Sequence, residues 1–143
     1  MSHPRLPFRT LSPQAYQGLV ACKQALASGR LEKSLTELVY LRVSQINGCA
    51  FCLQMHAAAL RDDGMDDTRI DSLAGWRVST EYSERERAAL EWAEALTHVT
   101  AGHAADETFA PLQAHFSDAE ISDLSIAVAL MNALNRLAIG LRL

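Results

Sequence analysis

The chain is organised around Cys49-Ala50-Phe51-Cys52-Leu53-Gln54-Met55-His56, which holds two cysteines and a histidine. If this segment is helical, each residue turns by about 100°, so that Cys49, Cys52 and His56 share one face. Cys52 and His56 are then neighbours on the helix, with their Cβ atoms roughly 5–6 Å apart. A base would stand beside a thiol without help from the tertiary fold. We therefore interpret the segment as a redox-active dithiol.

The segments before the dithiol have the pattern of helices. Ser12-Pro13 is typical of a helix start, and the positions that follow recur at helical spacing until Ser28-Gly29, namely Tyr16, Leu19, Val20, Lys23 and Ala27. A second helix is predicted from Leu35 to Ile46, with Glu37 in its first turn and Asn47-Gly48 at its end. The helix that carries the dithiol starts at Cys49, so residues 35–64 are predicted to form a helical hairpin that carries the site.

The remaining segments are also predicted to be helical. Ser83 with Glu86 forms a capping box, as does Ser117 with Glu120, and each box precedes an apolar stripe. A short helix is predicted over Thr108–Phe116. The last helix is apolar over much of its circumference, which is typical of a central helix or of one at a subunit interface. We expect a single all-α domain over residues 1–143, a bundle of about six to seven helices with an N-terminal arm over residues 1–11.

Composition narrows the function classes. The net charge of −4 lacks the basic footprint that nucleic-acid binding requires. No uninterrupted apolar run reaches the ~18 residues of a membrane span, and residues 1–8 have no signal-peptide core, so we expect a cytoplasmic protein that does not bind membranes. Three cysteines do not suggest a disulfide framework, and a CxxC pair is more typical of catalysis or metal binding. Cys22 is expected to be a small, buried apolar residue.

Zinc is one possible occupant of the dithiol. Cys49, Cys52 and His56 offer three ligands, whereas a structural zinc site uses four, and the sequence has no second CxxC or HxxxH. His98, His103 and His115 are more typical of surface or capping positions. A catalytic zinc with three protein ligands remains an open alternative.

Peroxide reduction makes smaller demands on the sequence. One thiolate attacks the O–O bond and becomes a sulfenic acid, and a second thiol condenses with that acid to a disulfide. His56 is placed to take the proton of Cys52, which favours Cys52 as the attacking thiol and Cys49 as the resolving thiol. The positive end of the helix favours a thiolate at Cys49, so the opposite assignment stays open.

The pattern of Glu37, eleven residues, Cys49-x-x-Cys52 and x-x-x-His56 resembles the alkylhydroperoxidase AhpD-like group of the carboxymuconolactone decarboxylase superfamily. The resemblance covers most of residues 35–137. It includes Trp76 to Arg87 and Asn132-Ala133-Leu134-Asn135-Arg136. The cysteine–histidine spacing is its specific part, and the later segments support it.

The resemblance implies a function and a set of roles. Cys52 would form the sulfenic acid, Cys49 would close the disulfide, and Glu37 with His56 would form a proton relay. It also implies an antioxidant peroxidase without metal or prosthetic group, assembled as a homo-oligomer, often a trimer or hexamer. A thiol or lipoyl carrier would supply electrons, and a peroxiredoxin would be a partner. Members of the group can carry histidine before the second cysteine, where this chain has Phe51, so the relay is expected to be shorter or to run through water.

Two other functions are compatible with the same residues. Glu37 and His56 could act as acid and base in a non-redox reaction on a lactone or β-keto acid, as in the decarboxylase branch. The dithiol could also change an interface in a non-enzymatic helical redox sensor.

Overall fold

Helices account for all regular secondary structure in residues 3–143, which the computed structural model describes. They are α1 (Phe8–Leu11), α2 (Pro13–Ala27), α3 (Lys33–Asn47), α4 (Ala50–Asp62), α5 (Asp67–Asp71), a 3₁₀ helix (Leu73–Val78), α6 (Glu84–Thr97), α7 (Val99–Gly102), α8 (Asp106–Phe109), α9 (Leu112–His115) and α10 (Asp118–Leu141). The all-α prediction is confirmed. Five of the α-helices in this range have 13 or more residues, and the others have four or five. The predicted bundle of about six to seven helices did not count the helices of one turn, which are too short to show a periodic pattern.

The core has two parts that share α3. One face of α3 places Val39 and Val43 against residues of α6 and α10, including Leu124 and Val128, all of them fully buried. Other α3 side chains, such as Leu38, pack with α4, the 3₁₀ helix and part of α6 in a second cluster. Each fully buried aliphatic side chain contributes roughly 1.5–3 kcal/mol. Helix α3 therefore contributes to both parts of the core and is held by packing on two sides.

Helix α10 is the long apolar helix predicted from the sequence, and it packs against α3 and α6. Within residues 3–143 it is the one helix long and apolar enough, by length and composition, to cross a membrane. A core helix has the same properties. Eight side chains of α10 are buried inside the domain, so core packing accounts for part of its apolar composition.

Local signals fix several helix ends. Both predicted capping boxes are present, with Ser83 Oγ accepting from Glu86 N and Ser117 Oγ accepting from Glu120 N. Gly48 ends α3 with a φ of 71°, a left-handed conformation that glycine adopts without strain. The next residue, Cys49, is the N-cap of α4, and its Sγ accepts from Cys52 N.

Three local predictions were wrong. Helix α3 begins at Lys33, so Glu37 lies in its second turn and not in its first, because the polar first turn shows no apolar period. The single helix predicted over Thr108–Phe116 is two short helices, separated at Ala110-Pro111, where the proline ring and its missing N–H disfavour a continuous helix. The N-terminal arm is helical over Phe8–Leu11, and its residues 1 and 2 lie outside the described range.

Candidate functional site

Helices α3 and α4 pack against each other on either side of the two-residue connection Gly48-Cys49. The two helices and this connection together carry all four predicted site residues. Glu37 is on α3, and Cys52 and His56 are one turn apart on α4. The described structure brings Glu37 and His56 together, with 2.7 Å between Glu37 Oε2 and His56 Nδ1. His56 is 1% exposed, so the pair is shielded from competing water on the histidine side.

This contact fixes the tautomer of His56. An ionised carboxylate can only accept a hydrogen bond, so Nδ1 carries the proton and donates it to Glu37. In the neutral ring Nε2 then keeps its lone pair and is the atom free to take up a proton. Nε2 is buried and has no hydrogen-bond partner among residues 3–143. In this oxidised state Nε2 therefore makes no hydrogen bond to either sulfur.

Cys49 and Cys52 form a disulfide, with an S–S distance of 2.07 Å and 5.3 Å between the Cα atoms. The two residues are 2% and 3% exposed. They belong to a small apolar cluster in which Ala138 of α10 is also buried. The third cysteine, Cys22, is a free thiol and is only half-buried, so the expectation of a buried residue was wrong because α2 has no buried position.

The two disulfide residues line different cavities. Cys52 lines an apolar cavity of about 350 Å³ between α2, α4 and α10, together with Phe51 and Met55 of its own helix. Cys49 lines a smaller one of about 170 Å³ that also touches Arg142 and Leu143. The disulfide therefore borders a cavity on each of two sides.

A third, small cavity of about 110 Å³ reaches Glu37 and Tyr40. The Tyr40 ring lies 5.2 Å, centroid to centroid, from the His56 ring. Burial, and then the negative charge of Glu37, raise the pKa of the Tyr40 hydroxyl above its ordinary value. Tyr40 is therefore a neutral neighbour of the pair at all physiological pH values.

Sequence reasoning missed a polar network beneath the site. Asn135 is fully buried, donates to Ser44 Oγ at 3.1 Å and accepts from Asn47 Nδ2 at 3.0 Å. Ser44 donates in turn to the carbonyl of Tyr40. The network joins α10 to the end of α3 just before the dithiol. The available signal was an asparagine on the apolar face of a helix.

The described residues give no support to the zinc alternative. Within residues 3–143 no three His, Cys, Asp or Glu side chains are grouped so that they could hold a metal ion. His98 is at the C-terminal cap of α6 and His103 at that of α7, which are capping positions as predicted, and His115 is the last residue of α9.

The family model of the carboxymuconolactone decarboxylase family matches residues 13–95, more than half of the chain. The chain belongs to this family. The crystal structure of ATU0492 from Agrobacterium tumefaciens, a protein of unknown function assigned provisionally to antioxidant defence as AhpD, is 39% identical with a TM-score of 0.94. The match covers 98% of this chain and 96% of that one. The AhpD-like family and fold predicted from the sequence are thus confirmed.

Two further proteins are similar to this chain in structure or in sequence. An uncharacterized peroxidase-related protein from Silicibacter sp. TM1040 is 26% identical with a TM-score of 0.82, over 92% of this chain and 70% of that one. The uncharacterized protein YdfG of Bacillus subtilis is 29% identical over 96% of this chain and 93% of its own length.

Proposed function

We propose that the protein is a thiol-dependent peroxidase that reduces organic hydroperoxides through Cys49 and Cys52. The proposal rests on the contact between Glu37 of α3 and the buried His56 of α4. Helix α4 also carries Cys52 of the disulfide. A histidine whose Nδ1 is bound to a carboxylate presents Nε2 as the atom that exchanges a proton with a nearby thiol, and such a neighbour can raise the thiolate fraction. The peroxidase-related relatives support the same chemistry.

The reaction divides between the two sulfurs. The Cys52 thiolate, its proton taken up by His56, attacks the terminal oxygen of the hydroperoxide; an S–O bond forms and the O–O bond breaks. The leaving alkoxide takes the proton from His56 and departs as the alcohol. Cys49 then attacks the Cys52 sulfenic acid, so that an S–S bond forms, the S–O bond breaks and water leaves. The sulfurs lose two electrons, and the peroxide gains them.

The cavities support this order of roles. Cys52 lines the larger apolar cavity, which has room for the organic part of a hydroperoxide, whereas Cys49 does not line it. A dithiol such as a lipoyl carrier, or another thiol reductant, would restore both thiols by exchange and become oxidised itself. Such a cycle suits the reducing cytoplasm, where we place the protein.

We also propose that the protein works as a homo-oligomer, a trimer or hexamer. Val99, Phe109 and Ile126 are large apolar side chains left exposed on the described surface. Exposed apolar groups of this kind are typical of contacts between subunits. Light scattering at several concentrations tests this, and a monomer at all of them contradicts it.

The peroxidase proposal is tested by titrating the reduced protein with one equivalent of cumene hydroperoxide. We expect two thiols to be lost, with a Cys49–Cys52 disulfide in the peptide map and Cys22 still free as the internal reference. Cys52→Ser should abolish turnover, and Cys49→Ser should leave a sulfenic acid that dimedone traps. Loss of no thiols contradicts the proposal, as does activity that survives replacement of both cysteines, which a non-redox decarboxylase predicts.

A further inference from the structure

The large cavity beside Cys52 has a mainly apolar wall. Aromatic and methionine side chains supply much of the wall, including Phe8, Tyr16, Phe51, Met55 and Met131. Its volume of about 350 Å³ lies at the lower end of the range for small-molecule sites. The shape and lining fit an apolar body of moderate size. Hydrogen peroxide would leave most of this volume unused.

The charged residues that line this cavity are all cations. Arg9 and Lys23 belong to the lining, and the described residues that line it include no Asp or Glu. This is notable in a chain whose net charge is −4. Neither cation makes an ion pair with any residue in 3–143, whereas Arg30 pairs with Asp123 at 3.3 Å. The cavity is therefore electrically complementary to an anion.

Lys23 is the better placed of the two cations. It is half-buried, whereas Arg9 is exposed and stacks over the Phe8 and Tyr16 rings. Lys23 stands within the apolar stripe of α2, where its carbon stem can lie along the wall and its ammonium at the mouth. It lines the small cavity next to Glu37 as well, but it is not paired with that carboxylate.

We propose that Lys23 is a specificity-determining residue that selects hydroperoxides carrying a carboxylate on an apolar body. This inference rests on the proposed peroxidase function and narrows its substrate class. The apolar body fills the wall between α2, α4 and α10, next to Cys52. The ammonium of Lys23 pairs with the carboxylate at the partly desolvated mouth, where an ion pair is screened less than on the open surface.

The kinetic test compares cumene hydroperoxide with its para-carboxylated derivative. For the unchanged protein we expect KM to be roughly tenfold lower for the carboxylated compound, with a similar kcat. Lys23→Gln should remove this preference, and Lys23→Arg should keep it. Arg30→Gln is the matched control, because Arg30 is an exposed cation that does not line the cavity, and it should leave the preference unchanged.

A charge reversal separates recognition from structure. Lys23→Glu should turn the preference toward a para-trimethylammonium derivative, which a merely structural lysine would not do. If both hydroperoxides have the same KM, or if Arg30→Gln lowers the preference as much as Lys23→Gln, the proposal is overturned.

Binding to the oxidised protein needs no turnover and is measured separately by calorimetry. The probe is the alcohol that corresponds to the carboxylated hydroperoxide. Binding that depends on Lys23 and weakens with salt supports the site, even if the titration shows no peroxidase activity and the proposed function falls. Leu19→Trp places a larger side chain in the cavity. If the alcohol does not bind and this variant has a different oligomeric state, a second copy of the chain occupies this surface. The proposal is then wrong.

Discussion

Glu37 and His56 are 19 positions apart in the chain, and Oε2 of one lies 2.7 Å from Nδ1 of the other. The two residues come from different helices, and the carboxylate is partly exposed while the imidazole is buried. Because the carboxylate accepts a hydrogen bond from Nδ1, Glu37 determines which nitrogen of His56 is left to accept another.

Glu37→Gln is expected to slow the reaction of Cys52 with iodoacetamide at pH 7 roughly tenfold or more. The amide no longer holds the histidine tautomer by charge, and a hydrogen bond to a charged group contributes about 1.5–3 kcal/mol, where about 1.4 kcal/mol is a factor of ten. The rate is measured against pH in a reduced Cys49→Ser background, so that Cys52 is followed without its neighbour.

Glu32→Gln is the control for this prediction, since Glu32 is an exposed carboxylate that pairs with Arg85. Equal alkylation rates in the Glu37 and Glu32 variants would show that the contact with His56 does not tune the thiol.

Asn135→Ala is expected to destabilise the protein by about 1–3 kcal/mol, because the fully buried Ser44 Oγ loses the hydrogen bond it accepts and Asn47 keeps only its bond to Asn132. Ser44→Ala should have a smaller effect of the same sign. The two together should cost less than their sum, because both remove the same bond. Urea unfolding of the reduced protein measures all three variants, and strict additivity would contradict the network.

Glu94 makes the stability of the fold depend on pH. Burial opposes its ionisation, but hydrogen bonds from Trp76, Arg77 and Arg42 outweigh burial, so the pKa of Glu94 lies below its ordinary value of 4.5. The unfolded chain then binds more protons than the folded one in acid. The stabilisation is present above about pH 4.5 and is lost as the pH falls through the folded pKa.

Glu94→Gln should therefore lower stability at pH 7 and flatten its fall in acid. Urea midpoints measured between neutral pH and the acid transition check this. Glu84→Gln, at an exposed glutamate on the same helix, should follow the unchanged protein. A steeper acid fall in Glu94→Gln than in the unchanged protein would reverse the assigned sign.

Ser117→Ala is expected to lower the free energy of unfolding by about 1 kcal/mol, because Ser117 caps α10 through the backbone N–H of Glu120. Ser117→Asp should retain most of the stability, since its carboxylate can accept the same hydrogen bond. Thermal unfolding followed by circular dichroism distinguishes the two, and equal losses would assign the effect to packing and not to capping.

The sequence predicted the features that depend on near neighbours. Both capping boxes and the end of α3 at Gly48 follow from residues within a few positions of each other. The predicted start of α3 was wrong because Lys33-Ser34 is polar, and a polar first turn has no sequence pattern that distinguishes it from a loop.

Contacts between helices could not be predicted from the local sequence pattern. The nearness of Glu37 to His56 was implied by family resemblance and not by spacing, since it needs α3 and α4 to pack at one particular register. The apolar cavity draws on helices from both ends of the chain, so no single stretch of sequence contains it. In the sequence, the one sign of this cavity was a lysine within the apolar stripe of α2.

Helix α2 supplies one wall of the large cavity yet buries none of its fifteen residues, and it packs mainly against α10 and α1. Segments with so few buried contacts open at a small fraction of the free energy of global unfolding. Opening of this outer helix would expose the Cys52 side of the disulfide to solvent, while the helix that follows Cys49 stays folded.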